Sequence, residues 1–285
     1  MRVSSNQILE AGVQSMDNSL ADAMAWQKKI STGKNYSKAS DNPYAVSRGV
    51  RLDFDVARLE MYKTNQNYVA STHAIAQSQM STIIDELIVL KQAFVQSQNG
   101  ALNSTNFRAL KIQAEQIRDT IQSQMVAKDA TGNYIFPETI NNVQIEPNVT
   151  VKSGVEFTDA FNGGSLADPA ASNLYIKINN FVTYLDERAN RSSLTNTAGA
   201  VESGLNDIFD RITTAQQRSG GIAAQVDISK EAMGTIGTEM AATASALLDT
   251  NMAAATAAYT RSQTLLNAAQ AMFARLQQSS LFSKL

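Results

Sequence analysis

Apolar residues recur along this chain at alternating steps of four and three, the spacing that places them on one side of a helix in a bundle or coiled coil. The first such seam runs over residues 6–32 through Leu9, Val13, Met16, Leu20, Ala23, Gln27 and Ile30. Residues 31–43 are polar, with Gly33 as a helix stop and Asn42-Pro43 as a turn or helix start. The pattern therefore predicts an N-terminal helix followed by a linker.

Two further helices are predicted before residue 130. The second seam passes through Phe54, Ala57, Met61, Thr64 and Tyr68 and then, one residue out of phase, through Ala76, Met80, Ile83, Leu87, Leu90 and Phe94. Methionine and aromatic residues at this spacing are core positions by default. A third helix begins at Asn103 or Ser104. The connection between the two is short, so we expect them to be antiparallel neighbours.

Residues 129–172 have a different character, with three of the four prolines and several glycines. Four short segments favour β-structure, at residues 134–136, 143–145, 149–151 and 155–157. The segment predicts a small β-rich insertion, and a short helix through Leu174 and Leu185 follows it.

The longest unbroken seam lies between residues 197 and 240, where no proline interrupts the alternation of four and three. A helix of this length would extend about 66 Å, which indicates an elongated rod. Gly220-Gly221 interrupts the pattern. The pair is interpreted as a hinge, a close helix contact or a tolerated weakness, and we favour close packing or local bending over phosphate binding.

Residues 241–285 are rich in alanine and poor in charge, with a seam through Leu248, Asn251, Ala255, Ala258, Ser262, Leu265, Ala269, Met272 and Leu276. Amphipathic helices at both ends favour a pair, because neither is stable alone. The alternative is that both fold back on the rod in one compact bundle. The predicted fold is mainly α, an elongated antiparallel helical rod with a terminal helix pair and a small β-rich insertion.

Composition excludes several kinds of chemistry. The 285 residues include no Cys and one His, and the net charge is −2. Disulfides, thiolate sites and multi-histidine metal sites are excluded, and no basic footprint for nucleic acid exists. We expect no cofactor, no secretory signal peptide and no membrane span. His73 is expected to be a surface or half-buried helix residue, since no acid and nucleophile stand at helical spacing from it.

Three segments carry a resemblance to a known family. Residues 30–34 and 39–43, reading ISTGK and ASDNP, are similar to the block after the N-terminal helix in the flagellin superfamily. The Asp-Asn-Pro ending, the segment GNYIF at 132–136 and the segment Ser280-Leu281-Phe282 resemble the hook-filament junction proteins of that superfamily more than flagellin. The resemblance covers nearly all of residues 1–128 and 196–285 and is weakest over 137–195.

This resemblance implies a structural protein of the bacterial flagellum, not an enzyme, secreted by the flagellar type III apparatus to the hook-filament junction. The implied domains are D0 (1–43 and 241–285, terminal helices with linker), D1 (44–136 and 173–240, long-helix rod) and D2 (137–172, insertion). The implied partners are about eleven copies of itself in a ring, the first hook-associated protein, flagellin and an export chaperone.

The terminal helices are the expected assembly interface, formed by Leu9, Val13, Met16, Leu20, Ile30, Leu248, Leu265, Ala269, Met272, Phe273 and Leu276. The family motif loop comprises Ser31, Thr32, Gly33, Asp41, Asn42 and Pro43. We expect the terminal segments to be largely unfolded during export and to become helical when neighbouring subunits bury these residues.

Two alternatives stay open on the sequence alone. The chain is a short flagellin that forms the bulk filament, or it is a helical ligand-binding or hydrolase domain with the β insertion as its pocket. The second has no convergent set of polar groups in the sequence to support it.

Overall fold

The structure, a computed structural model, describes residues 5–282 and, within them, every side chain except those of residues 5, 6, 8, 9 and 276–282. The chain is mainly helical. The helices in chain order are α1 (Ser5–Thr32), α2 (Pro43–Ser97), α3 (Ser104–Met125), α4 (Phe157–Phe161), α5 (Asn173–Asn190), α6 (Ala198–Leu248) and α7 (Met252–Phe282), with one 3-10 turn at Pro169–Ala171.

Contacts divide the chain into two compact units, which we call the terminal unit (Met1–Arg58 and Ile236–Leu285) and the central unit (Leu59–Thr235). The division into D0, D1 and D2 stays a prediction. Within residues 5–282, no helix combines the length and the apolarity that crossing a bilayer requires.

The helix ends follow local chemistry. Helix α1 ends at Thr32, and Gly33 adopts the left-handed conformation (φ 69°) that glycine takes without strain. Helix α3 begins after Asn103, whose side chain accepts a hydrogen bond from the backbone N–H of Asn106 at 3.0 Å. The predicted linker and the predicted start of the third helix are confirmed.

The core of the central unit joins α2, α3, α5 and the first half of α6. Helix α3 packs against α5, and large side chains such as Leu87, Ile121 and Phe181 are no more than 1% exposed. Phe161 closes one end of the core, with its ring centroid 5.0 Å from that of Phe136 and 4.9 Å from that of Phe157. Such edge-to-face contacts add to the burial of the rings.

The insertion contains two strands rather than four. Strand β1 (Asn142–Glu146) pairs antiparallel with β2 (Val149–Lys152), with an irregularity between Gln144 and Glu146. Residues 134–136 and 155–157 are not strands, because Phe136 and Phe157 insert fully into the helical core. Their β-favouring composition reflects burial and not a sheet.

The hairpin β1–β2 covers the inner sides of α2 and α6. Ile145 and Val151 of the hairpin form an apolar cluster with Val69 of α2 and Val226 of α6. Gln66 Nε2 donates to the carbonyl of Ile145 and to Ser229 Oγ, each at 2.9 Å. The hairpin carbonyls are thus satisfied by polar side chains inside the contact, as buried acceptors require.

The prediction that the first seam of α2 is core is wrong. Phe54, Met61 and Tyr68 are 69, 52 and 57% exposed. The buried stripe of the same region consists of Tyr62, Gln66, Val69, His73 and Ala76. Gln66 and His73, the polar members of this stripe, donate hydrogen bonds to hairpin carbonyls. Because these two buried residues are polar, a hydrophobicity pattern does not reveal the stripe, and the predicted seam follows the opposite side of α2 until it changes phase by one residue.

His73 is fully buried, contrary to the expectation of a surface or half-buried residue. Its Nε2 lies 3.0 Å from the carbonyl oxygen of Lys152, which can only accept, so Nε2 carries the proton. Nδ1 lies 2.8 Å from Ser219 Oγ and accepts its hydrogen. Both ring nitrogens are therefore engaged, and His73 connects α2, α6 and the hairpin.

Burial lowers the pKa of His73 below its usual value. The unfolded chain takes up a proton as the pH falls through about 6.5, while the folded chain takes it up only at a lower pH. We therefore expect the free energy of unfolding to fall on acidification from pH 7.5 to 5.5, by up to about 1 kcal/mol per pH unit below 6.5. Urea unfolding at several pH values measures this slope.

The matched variant is His73→Gln, which removes the only histidine and keeps a side chain with a donor and an acceptor. It should be less stable at pH 7.5 but lack the slope between pH 6.5 and 5.5. Equal slopes for the two proteins would contradict the assignment.

Candidate assembly surfaces

Helix α1 packs against α7 in the terminal unit. The side of α1 that faces inward consists of Gly12, Met16, Ser19, Ala23, Trp26 and Ile30, of which Ala23 is buried and the others are half-buried. These positions again alternate steps of four and three. A Cβ added to Gly12 would lie 3.6 Å from Phe273 Cδ2, so the two helices approach closely there.

The inward side of α7 follows the same rule and consists of Ala255, Tyr259, Ser262, Leu266, Ala269 and Phe273. Its fully buried members are Ala255 and Ser262, at 1 and 8% exposure. The most buried positions of the contact between α1 and α7 are therefore small residues. They remove little apolar area from water, so the contact contributes less than a core of leucines would.

Large apolar residues on both helices point outward. Val13 and Leu20 of α1 are 42 and 47% exposed, and Leu265 and Met272 of α7 are 54 and 65% exposed. They lie beside the inward stripes, at the positions where the sequence seams place them. We call Val13, Leu20, Leu265 and Met272 the outer residues of the terminal pair.

The structure divides the predicted interface residues into two groups. Val13, Leu20, Leu265 and Met272 are exposed, whereas Met16, Ile30, Leu248, Ala269 and Phe273 are half-buried. The side chains of Leu9 and Leu276 lie outside the described residues. That the set forms an assembly interface stays a prediction.

Hydrogen bonds join the segment after α1 to the connection between α6 and α7 in the terminal unit. Asn35 N donates to the carbonyl of Leu248 at 2.7 Å, and Thr250 N donates to the carbonyl of Gly33 at 2.8 Å. Lys34 Nζ lies 2.9 Å from Asp249 Oδ1, and this contact lowers the pKa of Asp249. The end of α1 is thereby fixed to the connection between α6 and α7.

The last three residues of the motif loop, Asp41, Asn42 and Pro43, shape the turn that leads into α2. Asp41 Oδ2 accepts from the backbone N–H groups of Lys38 and Ser37 at 3.0 and 3.1 Å, which lowers the pKa of Asp41. Asn42 Oδ1 accepts from Ala45 N at 3.0 Å and caps α2. Pro43 occupies the first helical position, where its missing N–H costs nothing.

The first half of the motif loop forms the end of α1. Thr32 Oγ1 donates to the carbonyl of Lys28 at 2.9 Å and accepts from Lys34 N at 3.3 Å. Ser31 is exposed. The motif therefore specifies a defined turn between two helices.

Leu248 fits against a glycine of α2. A Cβ at Gly49 would overlap Leu248 Cδ1, so a larger residue there would require Leu248 to shift. Sequence reasoning did not single out Gly49, and the contact spans almost two hundred residues. The sequence marks Leu248 as a seam position but contains no local pattern that pairs it with Gly49.

Chemical sites are sparse in the described part of the chain. No group of three or more His, Asp or Glu side chains there could hold a metal ion. Ser219 and His73 are hydrogen-bonded, but both are buried and neither ring nitrogen is free for a substrate. The long-range pairing of these two residues could not be found from helical spacing.

Residues 3–138 match the family described as the bacterial flagellin N-terminal helical region. The chain is 22% identical to flagellar hook-associated protein 3 of Escherichia coli K12, across 99% of both chains. The expected resemblance to flagellar hook-associated protein 3 is confirmed. The protein of that name from Salmonella typhimurium is 26% identical over 136 residues, which are 48% of this chain and 43% of the relative.

Solved structures agree on the fold. A flagellar hook-associated protein from Vibrio parahaemolyticus superposes with a TM-score of 0.62 at 16% identity, over 73% of this chain and 99% of that chain. Flagellar hook-associated protein 3 from Legionella pneumophila gives a TM-score of 0.60 at 10% identity, over 69% of this chain and 98% of that chain. This chain thus has the fold of flagellar hook-associated proteins.

Proposed function

We propose that this protein is a structural subunit of the bacterial flagellum that joins the hook to the filament by polymerising through its terminal helices. The full-length similarity to flagellar hook-associated protein 3 supports the flagellar part of the proposal. The observation that carries the assembly part is the outward position of Val13, Leu20, Leu265 and Met272 on the terminal pair.

The outer residues need a partner because the terminal pair cannot bury them. Two helices share one contact, and that contact is already filled by the inward stripes of α1 and α7. Burying a leucine or methionine side chain contributes about 1.5–3 kcal/mol. Four large apolar residues exposed to water therefore favour association with neighbouring subunits, which would bury them.

Folding and assembly are coupled in this proposal. The most buried residues of the terminal pair are Ala23, Ala255 and Ser262, whose small side chains supply little stabilisation. A free subunit therefore keeps the ends of its chain largely unfolded, as passage through the type III export channel requires. Neighbouring subunits then supply the apolar surface that offsets the ordering entropy.

The complete arrangement follows the resemblance. The terminal helices form the D0 layer, the long helices form D1, and residues 137–172 form an outward D2 insertion. About eleven copies close a ring at the extracellular hook-filament junction. The first hook-associated protein lies on the hook side and flagellin on the filament side, and an export chaperone binds the C-terminal region before secretion.

Charges on the outer residues should block assembly without unfolding the subunit. Leu20→Glu and Met272→Glu each place a carboxylate at an exposed position, so monomer stability should change by less than about 0.5 kcal/mol. Incorporation into flagella should fall at least about thirtyfold, because an apolar contact worth about 2 kcal/mol is lost. Immunoblots of purified flagella measure the incorporation of each variant, and swimming on soft agar measures its effect on motility.

The controls are Gln14→Glu and Gln270→Glu, which add the same charge to exposed positions away from the outer residues. They should assemble normally. Equal loss in both pairs would show that charge, and not the outer residues, is responsible.

Amide hydrogen exchange tests the coupling of folding to assembly. In the free subunit, amides of residues 10–30 and 255–275 should exchange rapidly, whereas amides of α3 and α5 stay protected by the core that buries Ile121 and Phe181. In purified flagella both sets should be protected. Slow exchange of the terminal amides in the free subunit would refute the coupling.

Deletion of the gene separates a junction protein from a short flagellin. Loss of a junction protein should leave bare hooks and flagellin released into the medium, because flagellin then has no attachment site. Loss of a bulk flagellin should remove the filament subunit itself. Electron microscopy of the cells and an immunoblot of the medium distinguish the two, and restoration by the wild-type gene is the control.

A further inference from the structure

The exposed side of α1 that carries Val13 and Leu20 is acidic. We define the acidic side of α1 as Glu10, Val13, Asp17, Leu20 and Met24, all of which are exposed. At about 100° per residue, these positions lie within about 80° of one another, and their centre lies about 120° around α1 from its inward side. Every charged residue between positions 10 and 24 is acidic, and Lys28 and Lys29 follow only near the end of the helix.

The exposed side of α7 that carries Leu265 and Met272 is basic. We define the basic side of α7 as Arg261, Leu265, Ala268, Met272 and Arg275, all of which are exposed. These positions also lie within about 80° of one another and about 120° around α7 from its inward side. Arg261 and Arg275 are the only charged residues in the sequence of α7.

The charges on these two sides form no ion pair among the side chains that the structure describes. Glu10 and Asp17 on α1, like Arg261 and Arg275 on α7, are exposed. Opposite charges about 4 Å apart attract by about 1 kcal/mol even in water. The two sides are therefore complementary in charge, and each also carries large apolar side chains.

The acidic side and the basic side point in opposite directions. The end of α1 is hydrogen-bonded to the connection that leads into α7, so the two helices run antiparallel. The rotation of about 120° from the inward side is clockwise on α1 and counter-clockwise on α7 when each helix is viewed from its own N-terminus. Viewed from one end of the pair, both rotations therefore have the same sense, and the two sides meet only between copies that stand side by side.

The residues on the two sides also match in height. Gly12 lies beside Phe273 within one copy, and each step forward along α1 corresponds to one step back along α7. The level pairs are Val13 with Met272, Leu20 with Leu265, and Glu10 with Arg275. The remaining level pairs, Asp17 with Ala268 and Met24 with Arg261, place no like charges together. A neighbour at the same height thus finds apolar residues opposite apolar residues and an acid opposite a base.

We propose that the acidic side of α1 in one copy packs against the basic side of α7 in a second copy of this chain at the same height. The inference rests on the proposed function, because it names the surfaces through which the terminal helices assemble. Each copy offers a different side to each of its two neighbours, which is the kind of contact that builds rings. Equal height makes the array close as a ring and not rise as a helix.

The size of the contact sets when it forms. Residues 10–24 of α1 span about 22 Å, and with a helix about 10 Å wide the acidic side offers on the order of 200 Å². A stable pair of proteins needs about 800 Å² on each partner. The contact therefore does not hold two free subunits together in dilute solution. It forms in assembled flagella, where each copy makes it twice and the local concentration of copies is high.

Cysteine cross-linking between differently tagged subunits tests which sides meet. The chain has no natural Cys, so Leu20→Cys and Leu265→Cys each provide a single thiol. A short bis-maleimide should link the two variants to each other in purified flagella that contain both. Flagella with only one variant are the matched controls, because they carry the same thiol without its level partner. We expect at least about tenfold more product from the mixture, since like sides do not meet in a contact of two different surfaces.

Charge reversal gives an independent measurement. Glu10→Arg and Arg275→Glu each place like charges at one level pair, so incorporation into flagella should fall at least about threefold for either variant. The double variant exchanges the two charges and should recover incorporation. Asp22→Arg is the matched control, because Asp22 is exposed about 160° around α1 from the acidic side. It should assemble normally.

Cross-linked product that is equal in the three samples, confined to flagella of one variant or absent from all of them would overturn this contact. Failure of the double charge variant to exceed the single variants would overturn it as well. Both results leave the proposed function intact, because the wild-type chain is still found in purified flagella. Absence of the wild-type chain from purified flagella would contradict the proposed function and this contact with it.

Discussion

Two helices packed side by side share a single contact, and apolar residues outside that contact stay exposed in the isolated pair. In the terminal unit the contact between α1 and α7 is most buried at Ala23, Ala255 and Ser262. Leu20 and Met272 are left in water. The assembly proposed above would bury these side chains against neighbouring subunits and so stabilise the pair.

The central unit solves the same problem internally. Its helices bury Phe181, Leu87 and Ile121 against one another, and the hairpin covers the stripe of α2 that contains Gln66 and His73. The central unit thus buries a connected set of large side chains, while the most buried positions of the terminal pair are small residues. That difference agrees with the proposed coupling of terminal folding to assembly.

Signals that act over a few residues were readable from the sequence. Gly33 ends α1, Asn103 caps α3, and Asn42 with Pro43 starts α2, because each acts on its own turn of backbone. Contacts between side chains that are distant in the sequence were not predicted. The pairing of His73 with Ser219 and the fit of Leu248 against Gly49 join distant segments and leave no local pattern. The β-favouring segment at 134–136 failed because Phe136 is drawn into the helical core.

The change of phase in α2 shows why a seam alone does not identify a core. Between Leu59 and Ala76 the stripe toward the hairpin includes Gln66 and His73, since strand carbonyls require donors, while the opposite stripe holds Met61 and Tyr68. The buried side of α2 is therefore set by what its side chains bond within the fold, and an apolar repeat read from the sequence selects the opposite side.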